Sequence, residues 1–106
     1  MDDSLVYQAL KDEKVDVSMG FATDGRISAF GFINLVDDRS FFPIYNPAPV
    51  VRAEVLKKYP EIRDILKPMS EKLTTAEMQQ LNAMADIEHK EINEVAMQWL
   101  KKNGLF

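Results

Sequence analysis

Val15-Asp16-Val17-Ser18-Met19-Gly20-Phe21, followed by Ala22-Thr23-Asp24-Gly25-Arg26, is the stretch on which the fold class turns. Val15, Val17 and Met19 alternate with Asp16, Ser18 and Gly20, the two-residue period of a strand with one face covered. Phe21 ends the run, and Thr23-Asp24-Gly25 has turn chemistry. Arg26 to Phe30 then reads as one short helical turn, and Phe32 to Val36 as a second strand closed by Asp37-Asp38. Upstream, Ser4 is placed to cap a short helix carrying Leu5, Val6, Ala9 and Leu10, which the charged run Lys11-Asp12-Glu13-Lys14 ends.

Downstream of Phe41 the chain changes character. Phe41, Phe42 and Tyr45 stand among Pro43, Pro47 and Pro49, and each proline biases its predecessor toward extended geometry. This segment reads as a stiff, aromatic-bearing crossing, neither helix nor central strand. From Val50 the pattern is helical: Val51, Val55 and Leu56 form one stripe ending near Tyr59. Pro60 suits a first helical position ahead of Ile62, Ile65 and Leu66, and Pro68 should stop that helix. Thr74 and Glu77 have the spacing of a capping box, and Met78, Leu81 and Ala85 follow as a face. Ile92, Val95, Ala96, Trp99 and Leu100 share one side of a last helix that Gly104 closes. The expectation is an α/β fold, two or three short strands followed by about four helices.

Composition bounds the function. At 106 residues the chain suffices for one small domain, and 46% hydrophobic with 28% charged residues favours folding over disorder. Net charge is −4 and the basic residues form no stripe, which argues against a nucleic-acid partner. No apolar run approaches the roughly 18 residues of a membrane span. Met1-Asp2-Asp3-Ser4 lacks the pattern of a secretion signal, which fits either a cytoplasmic chain or one whose natural N-terminus lies further upstream. Without cysteine there are no disulfides and no thiolate metal sites.

Catalytic chemistry finds no constellation here. His89 lies in a polar stretch with no accompanying nucleophile or paired ligand, and a solvated role is expected. Asp37-Asp38 lacks a third metal ligand at useful spacing and reads as a turn. Gly20 and Gly25 do not form a phosphate loop. Two segments stand out instead: Phe21 to Arg26, a run ending in an aromatic and a polar turn, and Phe42-Pro43-Ile44-Tyr45-Asn46-Pro47, where prolines pre-order a tyrosine for contact.

Together, Val15 to Ile27, Asp37-Asp38 and Phe41-Phe42-Pro43-Ile44-Tyr45-Asn46-Pro47-Ala48-Pro49-Val50-Val51-Arg52 resemble the second half of the glycine betaine/carnitine/choline-binding proteins of ABC importers. The resemblance implies the C-terminal part of a two-lobed periplasmic-binding-protein-like (type II) fold. Residues 1–43 would be the end of lobe two, and 44–106 the hinge crossing and the C-terminal helices completing lobe one. It further implies a quaternary-ammonium ligand held by aromatic faces, with Phe21 and Tyr45 as cage positions and Thr23 among the ligand-binding residues. Phe21 stands where the family usually has tyrosine. An ABC permease partner, no cofactor and an extracytoplasmic location follow from the same resemblance. The alternative is a truncated or stand-alone interaction domain without transport activity. For the chain in isolation, homo-oligomerisation is expected from its uncovered strands.

Overall fold

Residues 3–106 are described by the computed structural model, and six helices form among them. They are α1 (Asp3–Lys11), α2 (Gly25–Ala29), α3 (Ala53–Lys58), α4 (Ile62–Lys72), α5 (Thr75–Asp86) and α6 (Ile92–Lys102). The expected α/β fold is corrected by this order, because the described residues contain no strand. Residues 15–21 and 32–36 are non-helical but form no strand ladder among the described residues. Their alternating and continuous apolar patterns suit pleated chain, yet a ladder needs a neighbour to exchange N–H and C=O bonds with. No such neighbour lies beside them here: Val17 is 67% exposed and Val36 88%.

The helix ends show what the sequence encodes locally. At the end of α1, Glu13 N–H bonds to Leu10 C=O (3.2 Å) and Lys14 N–H to Ala9 C=O (2.9 Å). At the end of α6, Gly104 N–H bonds to Lys101 C=O (3.1 Å) and Leu105 N–H to Leu100 C=O (2.9 Å). Both are Schellman closures, which place one residue at positive φ. Gly104 fills that position as expected (φ 68°), whereas α1 uses Glu13 (φ 56°). His89 also adopts a positive φ, just past α5, and is exposed.

Three local expectations need correction. Ser4 lies inside α1, one residue past its start, so it is not the cap. Pro68 lies inside α4 and does not stop it. The proline forfeits only the bond its own N–H would make, while Ile65 N–H to Glu61 C=O and Leu73 N–H to Met69 C=O persist at 3.0 Å on either side. Pro60 precedes the helix, whose N-cap is Glu61.

The buried hydrophobic residues are Tyr7, Ile27, Ala83, Val95 and Trp99, drawn from α1, α2, α5 and α6. The seam between α2 and α5 is the main helix contact. A Cβ on Gly25 would lie 2.6 Å from Asn82 C and 2.7 Å from Ala83 Cα, so this position admits only hydrogen. By contrast α3 and α4 bury no residue. The radius of gyration is 16.8 Å, against about 13 Å for a self-contained domain of this length.

Candidate ligand-binding site

The turn after Phe21 is held from several directions. Asp24 caps α2, accepting Arg26 N–H at 2.9 Å. The Arg26 guanidinium grips the same carboxylate with Nε to Oδ1 at 2.9 Å and Nη2 to Oδ2 at 2.8 Å. Partial burial works against the Asp24 charge, but the Arg26 bonds outweigh it and hold the carboxyl below the usual aspartate range. Arg26 also stacks on Tyr7, 4.5 Å from guanidinium carbon to ring centre. A Cβ on Gly20 would stand 3.0 Å from Tyr7 Cζ and closer still to its hydroxyl, so Gly20 makes room for that ring.

The backbone of the turn is tied to α5. Gln79 Nε2 donates to Ala22 C=O at 2.6 Å and Asn82 Nδ2 to Thr23 C=O at 2.7 Å. Asn34 Nδ2 also donates to Ala22 C=O (3.1 Å). Gln79 and Asn82 are three apart and so share a helix face. The sequence reading followed only the apolar face of this helix and missed both. It likewise took Asp24-Gly25-Arg26 as a turn without finding the Asp24–Arg26 fork. Three-residue spacing of two amides on α5 is the one signal available for the former, and the sequence says nothing of which carbonyls they meet.

Phe21 sits on this fixed turn with its side chain exposed, and Thr23 is half-buried beside it. Tyr45 stands apart on the proline-rich crossing, 84% exposed. The structure unites Phe21 and Thr23 on one turn, and the rings of Phe21 and Tyr45 make no contact with each other. The crossing is anchored at its start by Asp37, whose carboxylate accepts Phe42 N–H at 2.8 Å and Phe41 N–H at 3.0 Å. Those two bonds, Phe42 first, lower the Asp37 pKa. Both its oxygens serve this turn, as the turn reading of Asp37-Asp38 expects.

Most aromatic side chains are already engaged. Arg26 lies over Tyr7, Lys11 over Phe30, and Lys58 over Tyr59. Phe30 meets Phe32 edge to face, as Phe41 meets Phe42. Trp99 Nε1 donates to Glu77 Oε2. Only Phe21, Tyr45 and the terminal Phe106 keep rings without a ring, cation or hydrogen-bond partner among the described residues.

The profile of the substrate binding domain of the ABC-type glycine betaine transport system matches residues 1–102. The chain belongs to this family. It is 42% identical over 102 residues to the carnitine transport binding protein OpuCC of Listeria monocytogenes, covering 96% of this chain and 33% of that protein. It is 44% identical over 105 residues to a glycine-betaine-binding protein of Pseudomonas aeruginosa, covering 99% of this chain and 34% of that one. The chain thus spans about a third of the length of these relatives. A crystal structure of a glycine betaine/carnitine/choline ABC transporter superposes with a TM-score of 0.92 at 43% identity, over 99% of this chain and 39% of that one. This substrate-binding family serves transport and is not an enzyme family. Among its described residues, this member has no helix long and apolar enough to cross a membrane.

Proposed function

We propose that this chain contributes part of a solute-binding protein for quaternary-ammonium osmoprotectants, glycine betaine, choline or carnitine, in an ABC importer. The observation that carries the reading is the pair of unengaged aromatic faces, Phe21 and Tyr45, at the two segments the family resemblance marks as cage positions. A trimethylammonium group offers no N–H donor, and its charge is spread over methyl groups. Aromatic faces suit it because they combine apolar contact with cation–π attraction of about 0.5–2 kcal/mol per ring. Phe21 supplies a face without a hydroxyl, Tyr45 a face with one, and Thr23 a polar neighbour to the first. Gln79 and Asn82 fix the turn that presents Phe21, so little ordering entropy remains to be lost on binding.

In this reading the chain forms part of one two-lobed protein. The complete protein presents its ligand to a permease subunit at the extracytoplasmic face. The family relationship to named carnitine- and glycine-betaine-binding proteins supports this role.

Calorimetric titration tests the reading, with this chain joined to the remaining portion of a relative. Choline and its neutral isostere 3,3-dimethylbutan-1-ol have the same shape and differ in charge. Choline should bind roughly tenfold or more tighter, the value of one to two cation–π contacts. Equal affinity for both would remove the aromatic-cage reading.

A further inference from the structure

The carboxylate of Asp37 closes a turn at the start of the proline-rich crossing that carries Tyr45. Its Oδ1 accepts Phe41 N–H at 3.0 Å and its Oδ2 accepts Phe42 N–H at 2.8 Å, while its own carbonyl accepts Ser40 N–H at 3.3 Å. Ser40 is held inside this turn at φ 51°, a left-handed conformation that a residue with a side chain keeps where its surroundings impose it. We propose that Asp37 is a positioning residue for the solute site: by fixing the backbone at Phe41 and Phe42, it sets where the Tyr45 ring stands. This role rests on the reading of Tyr45 as an aromatic face for a quaternary ammonium group.

The chain beyond the turn shows why one carboxylate matters so much. Residues 43–51 make no hydrogen bond among the described residues, and Ile44, Tyr45 and Val50 are 84–95% exposed. Neither a ladder nor side-chain packing holds this run from the side, so its course is set at its ends, and at the far end α3 begins only at Ala53. Pro43 follows Phe42 directly, and Pro47 and Pro49 stiffen the remainder, so a direction imposed at Phe42 is carried forward and not lost to free rotation. Tyr45 stands a short step past Phe42, a reach of at most about 10 Å even when fully extended. Phe41 and Phe42 pack edge to face with ring centres 5.1 Å apart, which braces the same turn. The chemistry also asks for a carboxylate. Two amides need two acceptor oxygens, whereas asparagine would keep one and set its NH2 against the other N–H. Neighbouring Asp38 makes no side-chain hydrogen bond or ion pair among the described residues, so of the acidic pair it is Asp37 that does this.

The test is a double-mutant cycle in the fused protein, read by calorimetric titration with choline. Asp37→Ala should weaken choline binding roughly threefold or more, and Asp37→Asn should weaken it less because one acceptor remains. In a Tyr45→Ala background Asp37→Ala should cost nothing further, since the ring it positions is gone. A carboxylate that merely supports the fold would cost the same in both backgrounds. Asp38→Ala should bind as wild type does. Hydrogen exchange gives a reading independent of solute: Asp37→Ala should speed exchange of the Phe41 and Phe42 amides roughly tenfold or more, with helical circular dichroism unchanged. If Asp37→Ala loses its helical signal, Asp37→Asn takes its place in the same cycle. Equal costs in both backgrounds, equal weakening by Asp38→Ala, or unchanged exchange at Phe41 and Phe42 would each overturn the proposal. If Tyr45→Ala weakens binding and the Asp37 variants do not, the solute reading stands and the positioning role falls. If Tyr45→Ala itself matches wild type, Tyr45 leaves the site and the role of Asp37 falls with it.

Discussion

Trp99 Nε1 donates to Glu77 Oε2 at 2.6 Å, joining the last helix to the first turn of α5. The sequence spacing gave Glu77 a different task, to reach back to the amide of Thr74 while Thr74 capped Glu77. Only half of that box forms. Thr74 Oγ1 accepts Glu77 N–H at 3.2 Å, but Thr74 N–H turns to Lys72 C=O. The carboxylate is committed to the indole, a partly buried bond that links residues 22 positions apart. Glu77→Ala should destabilise the chain by about 1.5–3 kcal/mol, the range for a hydrogen bond to a charged group. Glu77→Gln should cost less than half as much. Urea denaturation followed by Trp99 fluorescence reads both, and equal losses would show that a neutral acceptor at this position contributes nothing to the bond.

Gly25→Ala should be among the most damaging single changes. The new Cβ meets the backbone of Asn82 and Ala83, which has no rotamer to escape into. The expected loss is about 3 kcal/mol or more. Gly104→Ala serves as the comparison, since its Cβ position is open and only its φ of 68° is unfavourable. That change should cost about 1 kcal/mol. If both variants denature at the same urea concentration, the α2–α5 seam is looser than described.

Glu13→Gly should stabilise. Glu13 holds the left-handed position of a Schellman closure at φ 56°, where a side chain is strained and glycine is not. Relief of about 0.5–1 kcal/mol is expected, and a rise in the thermal midpoint measures it. An unchanged or lower midpoint would mean that the greater freedom of glycine in the unfolded chain offsets the relief.

Asp24 makes stability depend on acid. Its folded pKa lies below the ordinary aspartate value of about 4. Its contribution is therefore full above that ordinary value and is lost as the pH falls through the depressed folded pKa. Between pH 7 and pH 2.5 the wild-type urea midpoint should fall further than that of Asp24→Asn, which has no such proton to take up. Parallel profiles would show that the Arg26 fork does not discriminate between the charged and neutral acid.

Tyr45→Ala, in the fused protein, should weaken choline binding roughly tenfold, and Tyr45→Phe should weaken it less because the ring face remains. Phe21→Tyr should be tolerated, since the residue is 62% exposed and the added hydroxyl reaches solvent. Titrations in which Tyr45→Ala matches wild type would take this ring out of the site.

The helices after residue 50 were legible because their patterns are local. Thr74 capping, the stripe of Val95 and Trp99, and Gly104 closure each depend on residues within a few positions. The strand expectation failed at residues 15–21 and 32–36 for the opposite reason. Alternation specifies which side chains share a face, but a ladder is made with a second segment, and the described residues provide none. The site divides similarly. Phe21 and Tyr45 are marked as cage positions by the family resemblance alone, and their rings are unengaged among the described residues. Of the supports of the turn, Gln79 and Asn82 lie 57 and 59 residues from the carbonyls they meet, and Tyr7 comes from α1; nothing in local pattern connects them. Pro68 failed as a stop because its effect is one forfeited bond, which a helix with intact neighbours tolerates.

The close seat of Gly25 on Ala83 bears on movement. Two helices whose backbones touch have no layer of side chains to slide over, so α2 and α5 translate and rotate as one rigid body. Gln79 and Asn82 attach the Phe21 turn to that body. Movement of this body relative to the rest of the chain is therefore carried by dihedral changes outside the seam, such as in the helix-free run from Phe32 to Arg52 and at Leu73-Thr74 between α4 and α5. Tyr45 lies within the first of these, so its ring travels relative to Phe21 when the backbone there turns. The distance between the two aromatic faces thus becomes a conformational coordinate, adjustable without disturbing the packing that holds either end.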